Sequence, residues 1–256
     1  MEKSFNLTFS NGLSARAVFV HSTATLPLAL SKMGLGEPRP TILLLGGASG
    51  LQQAELEMLR PLFEGTLAPL AQKLGTYVVD GGTDAGVMLL MGQARAVARG
   101  DFPLVGVAAA GTVAFPDSPI DLPCPRGDGE SSDCWPLEPH HTHFVLVAGS
   151  RWGDESPWLT RTAQALRNGA TSVAVLVNGG ETSWDDVSYS VSAGCPVVVI
   201  AGTGRVADAL TAALAGKPPE ERAERLAASG LLQTIALHEG TGQLKSIIKD
   251  ILSVRE

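Results

Sequence analysis

Basic charge is scarce in this chain. Its 19 lysines and arginines face 26 aspartates and glutamates, leaving a net charge of −7. That balance argues against general nucleic-acid binding, which needs a basic surface. It still admits a small anion, which a few arginines and backbone N–H groups can hold locally. Cysteine is also sparse: Cys124, Cys134 and Cys195 are odd in number and scattered. They supply no disulfide framework and point to a reducing, cytoplasmic setting. The spacing leaves open whether Cys124 pairs with Cys134, and Cys195 reads as an inert buried thiol. No Gly-x-Ser-x-Gly elbow occurs, so serine-hydrolase geometry has no support. No apolar run approaches the roughly 20 residues that span a bilayer. Glu2 and Lys3 lead into a short amphipathic strand rather than a secretory leader.

Glycine, by contrast, is plentiful and punctuates the chain in a repeated way. Tyr77 to Val79 form a short apolar run that breaks at Asp80-Gly81-Gly82-Thr83-Asp84, and from Ala85 the sequence becomes helical. Such a strand–turn–helix aims several N–H groups and the positive helix end at one spot, where an anion, above all a phosphate, is stabilised. The bland reading is a tight turn whose glycines serve packing. The punctuation recurs at Gly46-Gly47-Ala48-Ser49-Gly50, at Asn178-Gly179-Gly180 and at Gly202-Thr203-Gly204-Arg205. Each follows an apolar run without polar alternation, as strands buried on both faces require. In open α/β sheets the exits of such strands share one edge, where ligands bind.

The expected architecture is therefore α/β, a Rossmann-like doubly wound sheet, mostly parallel, with an N-terminal β-hairpin in residues 1–24. The hairpin signal is Ser10-Asn11-Gly12 between two alternating runs. Strands are expected near 42–45, 77–79, 104–108, 144–148, 173–177 and 197–201. Residues 51–74 read as helix interrupted or restarted near Pro61 and Pro69. Residues 111–138 hold five prolines and an acidic patch, and read as an exposed, flexible insertion loop. Residues 217–256 read as a C-terminal helical extension with one last short strand near Ile235. Residues 1–256 are read as a single nucleotide-binding domain.

The ordered motifs resemble the SLOG superfamily, in the branch found at the N-termini of TRPM channels and in prokaryotic stand-alone relatives. They are Leu28-Ala29-Leu30 through Gly34-Leu35, Pro40, Gly46-Gly47-Ala48, Asp80-Gly81-Gly82-Thr83-Asp84-Ala85-Gly86 and Leu104 to Ala108. Glu138-Pro139-His140-His141-Thr142-His143 to Val147, Asn178-Gly179-Gly180 and Gly202 to Asp208 follow in order. The resemblance implies a domain that senses a NAD-derived nucleotide, ADP-ribose or cyclic ADP-ribose leading. It implies no resident cofactor, and it leaves open a homo-oligomer or an effector partner. The alternative is a phosphoribohydrolase that cleaves the N-glycosidic bond of a nucleoside monophosphate. Those relatives carry Pro-Gly-Gly-x-Gly-Thr-x-x-Glu, whereas this chain has Asn178-Gly179-Gly180-Glu181-Thr182-Ser183-Trp184-Asp185-Asp186. A carboxylate one methylene shorter is misplaced by about 1 Å, which catalysis tolerates badly.

The ligand-binding set is thus Gly46, Gly47, Ala48, Gly81, Gly82, Thr83, Gly86, Asn178, Gly179, Gly180, Gly202, Thr203, Gly204 and Arg205. The family likeness of Trp152-Gly153-Asp154-Glu155 adds Trp152, which can stack on a base, and Arg161. Arg205 opens a helix where a cation opposes the dipole, and this favours a ligand contact over a solvated side chain. His140, His141 and His143 have no zinc-like partners in spacing, so a hydrogen-bonded structural pair is expected rather than a metal site. No catalytic residue is assigned.

Overall fold

The computed structural model describes residues 3–48, 50–116, 134–239 and 241–253. The apolar runs become strands because every residue finds a helix on either side of it. In chain order the strands are β1 (Ser4–Thr8), β2 (Ser14–Val20), β3 (Thr41–Gly46), β4 (Tyr77–Asp80), β5 (Leu104–Ala109) and β6 (Val113–Ala114). They continue as β7 (Trp135–Pro136), β8 (His143–Val147), β9 (Ser172–Val177), β10 (Val197–Ala201) and β11 (Leu232–Ala236). The helices are α1 (Leu26–Lys32), α2 (Gln53–Leu62), α3 (Ala68–Leu74), α4 (Gly86–Val97) and α5 (Ser156–Arg167). After them come α6 (Thr182–Ser192), α7 (Arg205–Leu214), α8 (Glu221–Ala227) and α9 (Thr241–Ser253).

The main sheet runs β1-β2-β8-β5-β4-β3-β9-β10-β11 and is parallel except for the β1–β2 hairpin. Period-two alternation splits its side chains between two cores. Leu43, Leu45, Val105, Leu176 and Val199 pack with Leu30, Leu159, Val187 and Leu210 from α1, α5, α6 and α7. Ile42, Leu44, Val78, Val175 and Val198 pack with Leu59, Leu90, Met91 and Ile248 from α2, α4 and α9. The fold is therefore doubly wound, as the sequence pattern predicts. All six expected core strands are present in one parallel sheet, so the exits of β3, β4, β9 and β10 share an edge. Among the described residues no helix is long and apolar enough to cross a membrane.

Three segments differ in detail from the expectation. The helical stretch around Pro61 does not break. It passes from α2 to α3 through a π-type turn at Phe63–Leu67, so the chain keeps a helical path between Pro61 and Pro69. The C-terminal extension also completes the sheet: β11 pairs with β10 in parallel, and Leu244, Ile248 and Leu252 of α9 enter the core. Within the 111–138 stretch, residues 117–133 lie outside the described residues. Its flanks are built into the fold, since β6 pairs with β7, Thr83 bridges Leu137, and Glu138 is fully buried.

Glu138 belongs to a buried ionic chain that fixes the exit of β4. His141 is enclosed, and donates from Nδ1 to Glu138 Oε2 at 2.7 Å and from Nε2 to Asp80 Oδ1 at 2.8 Å. Asp80 Oδ1 also accepts the Gly82 N–H at 2.8 Å, and Glu138 holds His140 through its N–H and Nδ1. Burial opposes the His141 charge, but the two flanking carboxylates overcome it and raise its pKa to about 9. Glu138 is depressed: its burial opposes ionisation, and the hydrogen bonds and charges of His141 and His140 outweigh that. The histidines thus serve a structural ion chain, and both ring nitrogens of His141 are committed to carboxylates. His143 is held low, at about 4, chiefly by burial, and contacts the Met33 carbonyl.

A folded pKa above the unfolded 6.5 stabilises fully below that pH, and the gain disappears as pH rises through about 9. Buried Asp186, raised by desolvation to about 7, adds a penalty that builds as pH rises from the ordinary carboxylate range and levels off about one unit above its own folded pKa. Between about pH 8 and 9 the decline in stability therefore belongs mainly to His141, whose share is no more than about 1.4 kcal/mol per pH unit. Urea melts across this range are expected to show the slope in the wild type and to lose it in His141→Gln. That variant should also be destabilised by about 3–5 kcal/mol at pH 7, because two buried carboxylates lose their cation.

Candidate functional site

Sheet topology selects the crevice. From β3 the chain winds outward through β4 and β5, and it later returns to place β9 on the other side of β3. The helix after β3 packs on one face, and α6 after β9 packs on the other. Their loops must therefore part at the carboxyl ends, which makes this the switch point where α/β sheets bind ligands.

Local chemistry shapes the loops on either side. Gly46 lies so close to the Val177 carbonyl that no Cβ fits, and Gly86 is pressed in the same way on the Gly47 carbonyl. Gly82 (φ +69) meets Gly106 and Phe144, where an added Cβ would come within 2.8 and 2.9 Å. These three glycines are demanded by packing, which lets α4 begin directly against the β3 exit. The openings beside Gly50 and Gly180 are filled differently. Arg205 Nη1 lies 3.1 Å from the position of a Cβ on Gly50, and Nη2 lies 3.2 Å from that on Gly180. One guanidinium therefore bridges the loops of β3 and β9 across the crevice. Arg205 achieves this from the left-handed region, φ +52, a strained conformation for a residue with a Cβ.

Asn178 and Thr203 lock the neighbouring turns together. Asn178 N–H donates to Thr203 Oγ1 at 2.8 Å, its Nδ2 donates to the Thr203 carbonyl at 2.6 Å, and Thr203 Oγ1 donates to the Ile200 carbonyl at 2.6 Å. Gly202 N–H is capped by Asp208 at 2.7 Å. Asn178 itself has φ +60, which a proline ring cannot adopt. The loop consequently follows a path closed to the Pro-Gly-Gly relatives. Asn178→Pro is expected to cost about 3 kcal/mol or more in urea unfolding, from the forbidden φ together with the lost N–H bond. A variant within about 0.5 kcal/mol of wild type would contradict this account of the turn.

A shallow cleft of about 60 Å³ lies alongside, walled by Gly46, Ala48, Gly81, Thr83, Trp152, Glu155, Thr182 and Asp186 with apolar neighbours. Trp152 is 39% exposed, leaving part of its surface available for stacking. Of the predicted residues, Gly46, Ala48, Gly81, Thr83 and Trp152 thus meet in one place, while Asn178 to Gly180 and Gly202 to Arg205 stand at the adjoining loops. Gly82 and Gly86 support the wall from behind. Arg161 is exposed on α5 and does not line the cleft. Sequence reasoning left Glu155 and Gly50 unassigned, although Glu155 ends the Trp-Gly-x-Glu run and Gly50 closes the first glycine loop. A larger hollow of about 380 Å³ beside the hairpin is walled by Phe9, Phe115, Pro136 and Pro139, with no basic side chain among its described residues. Anion chemistry therefore favours the switch-point crevice.

Comparison with known proteins agrees with the topology. Transient receptor potential cation channel subfamily M member 2 of Rattus norvegicus is 27% identical over 219 residues, which are 73% of this chain and 14% of that protein. A subfamily M member-like 2 channel protein of Nematostella vectensis is 26% identical over 215 residues, 71% of this chain and 13% of its own length. This chain therefore spans only a small part of these relatives. The X-ray structure of TM1055, a structural-genomics target, shares the fold with a TM-score of 0.51 at 20% identity, covering 83% of this chain and 99% of that one. A family model described as SLOG in TRPM, prokaryote, matches residues 39–245. The chain belongs to that family, the prokaryotic branch of the SLOG domains found in TRPM proteins.

Proposed function

We propose that this chain binds a nucleotide at the β3–β9 crevice and acts as a ligand sensor, with the NAD-derived ADP-ribose and cyclic ADP-ribose as leading candidates. The observation that carries the proposal is the Arg205 guanidinium lying across Gly50 and Gly180. A planar fork held between two glycines can grip a phosphate bidentately while backbone amides approach from both sides. The starts of α6 and α7 stand at the same edge and add positive potential. The strained φ of Arg205 fits a residue placed for a ligand rather than for helix stability. The 60 Å³ cleft, walled by Trp152, is too small for a whole nucleotide, so a ligand whose phosphate lies against Arg205 would enter it with one edge and leave the remainder along the open strand exits.

Residues 1–256 acting as one domain, a cytoplasmic location and a homo-oligomeric or effector partner belong to the same reading. A sensor needs donors rather than a catalytic carboxylate, and the Asn178 turn departs from the hydrolase motif in both residue type and backbone path.

Isothermal titration with ADP-ribose, cyclic ADP-ribose, NAD and AMP tests the assignment. Arg205→Ala is expected to weaken binding about ten- to hundred-fold, equivalent to roughly 1.5–3 kcal/mol. Arg205→Lys should recover only part of the loss, because it keeps the charge without the fork. Unchanged affinity in Arg205→Ala would remove the proposed contact. Release of free base from AMP or another nucleoside monophosphate, abolished in Asp186→Asn, would instead establish the phosphoribohydrolase reading.

A further inference from the structure

The cleft beside Trp152 contains two carboxylates that the phosphate contact does not use. Asp186 comes from the second turn of α6, and Glu155 immediately precedes α5. Asp186 is only 7% exposed, and its buried Oδ1 closes no hydrogen bond among the described residues, the Ser156 hydroxyl being the nearby donor that favours its charged form. Glu155 Oε2 accepts the Gly153 N–H at 3.1 Å, and the residue faces the same cleft. A buried acceptor served at most by one hydroxyl carries a desolvation cost that is only partly compensated, and it lies where a ligand would meet it.

The chemistry of the pair decides what it can receive. Two carboxyl groups in a partly dry cleft repel an anion and satisfy hydrogen-bond donors. Burial raises both groups, Asp186 to about 7, and each also has an acidic neighbour that pushes the same way: Glu155 and Asp185 beside Asp186, Asp154 beside Glu155. Among the described residues no basic side chain lines this cleft. The phosphate site and the carboxyl site are therefore chemically opposed, one cationic at Gly50 and Gly180, the other acidic beneath Trp152. A nucleotide has the matching polarity, with its phosphate at one end of the ribose and two vicinal hydroxyls on the ring.

We propose that Asp186 and Glu155 form a sugar subsite, accepting hydrogen bonds from the 2′,3′-diol of a ribose whose phosphate lies against Arg205. This rests on the nucleotide reading and makes it more specific. The 2′-hydroxyl is a donor to the pair, so its removal strands a buried acceptor. A phosphate at the same position places a dianion against carboxylates. The subsite thus selects ribonucleotides over deoxyribonucleotides and excludes nucleotides with a 2′-phosphate, including those derived from NADP.

The test is titration of the intact protein with AMP, 2′-deoxy-AMP and adenosine 2′,5′-bisphosphate. AMP is expected to bind about ten-fold or more tighter than 2′-deoxy-AMP, and the bisphosphate should be the weakest of the three despite its extra charge. Asp186→Asn combined with Glu155→Gln preserves shape and removes the charges. It is expected to reduce the AMP preference over 2′-deoxy-AMP to about two-fold or less and to relieve the exclusion of the bisphosphate, as coupling between a ligand group and its partner requires. Arg205→Ala should weaken AMP and 2′-deoxy-AMP by the same factor and leave their ratio intact. A wild-type ratio near one, or a ratio unchanged in the double variant, would overturn the sugar subsite while leaving phosphate binding at Arg205 standing. Lack of binding by all three would overturn both. The wild-type comparison needs no variant, so it decides the matter even if the double variant folds poorly.

Discussion

The geometry of the glycine edge depends on one enclosed cation. His141 sits between Asp80 and Glu138, with both ring nitrogens bonded at 2.7–2.8 Å, and its ring stacks on Phe144 at 5.4 Å. Asp80 carries the effect into the turn by holding the Gly82 N–H. Glu138 carries it into α4, because its carboxyl group occupies the space that a side chain at Gly92 would need. A single imidazolium thus ties together the exit of β4, the middle of α4 and the entrance to β8. Charge burial of this kind is costly unless every group is paired. It yields a turn with few alternatives, since a shift of Asp80 would break bonds on both of its neighbours.

From that fixed turn the close approaches follow. Gly82 against Gly106, Gly86 against the Gly47 carbonyl and Gly46 against the Val177 carbonyl bring the β4 turn, the start of α4 and the exits of β3 and β9 into close backbone contact. The glycines of this edge therefore divide into two groups by cause. Those three are dictated by backbone packing. Gly50 and Gly180 leave the room that the Arg205 guanidinium fills. The recurrent punctuation in the sequence is real, yet it has two physical origins that residue type alone does not separate.

What could be read beforehand follows the same division. Long-range order was legible, because Ile42–Leu45, Val173–Val177 and Val197–Ala201 have no polar alternation and so require a sheet covered on both faces. The hairpin was legible from Ser10-Asn11-Gly12, but its parallel pairing through β2 to β8 depends on contacts 127 positions apart in the Arg16–His143 register and leaves no local trace. The histidine cluster was legible as a structural pair. Its partner Asp80 was not, since 61 residues separate it from His141. Asp186 was visible only as a shortened stand-in for a glutamate. Its enclosure comes from the packing of α5 on α6, which no local pattern encodes. Arg161 shows the converse: a motif placed it near Trp152, but helix phase turns it to the exposed face of α5.

Asn178 shows how a departure from a motif can be part of the design. Replacing proline by asparagine opens φ +60 and restores an N–H. The residue uses both, because the N–H and the side-chain amide each bond to Thr203. This draws the β9 turn onto the β10 turn, from which Arg205 springs. The bridge from Arg205 to Gly180 therefore requires both the unusual backbone at Asn178 and the left-handed start of α7. Restoring proline alone would remove the staple while leaving Arg205 to carry its strain without the register that gives it a target. The asparagine and the arginine are consequently coupled through the Thr203 turn, and the crevice is best understood as one unit in which neither residue has its present geometry without the other.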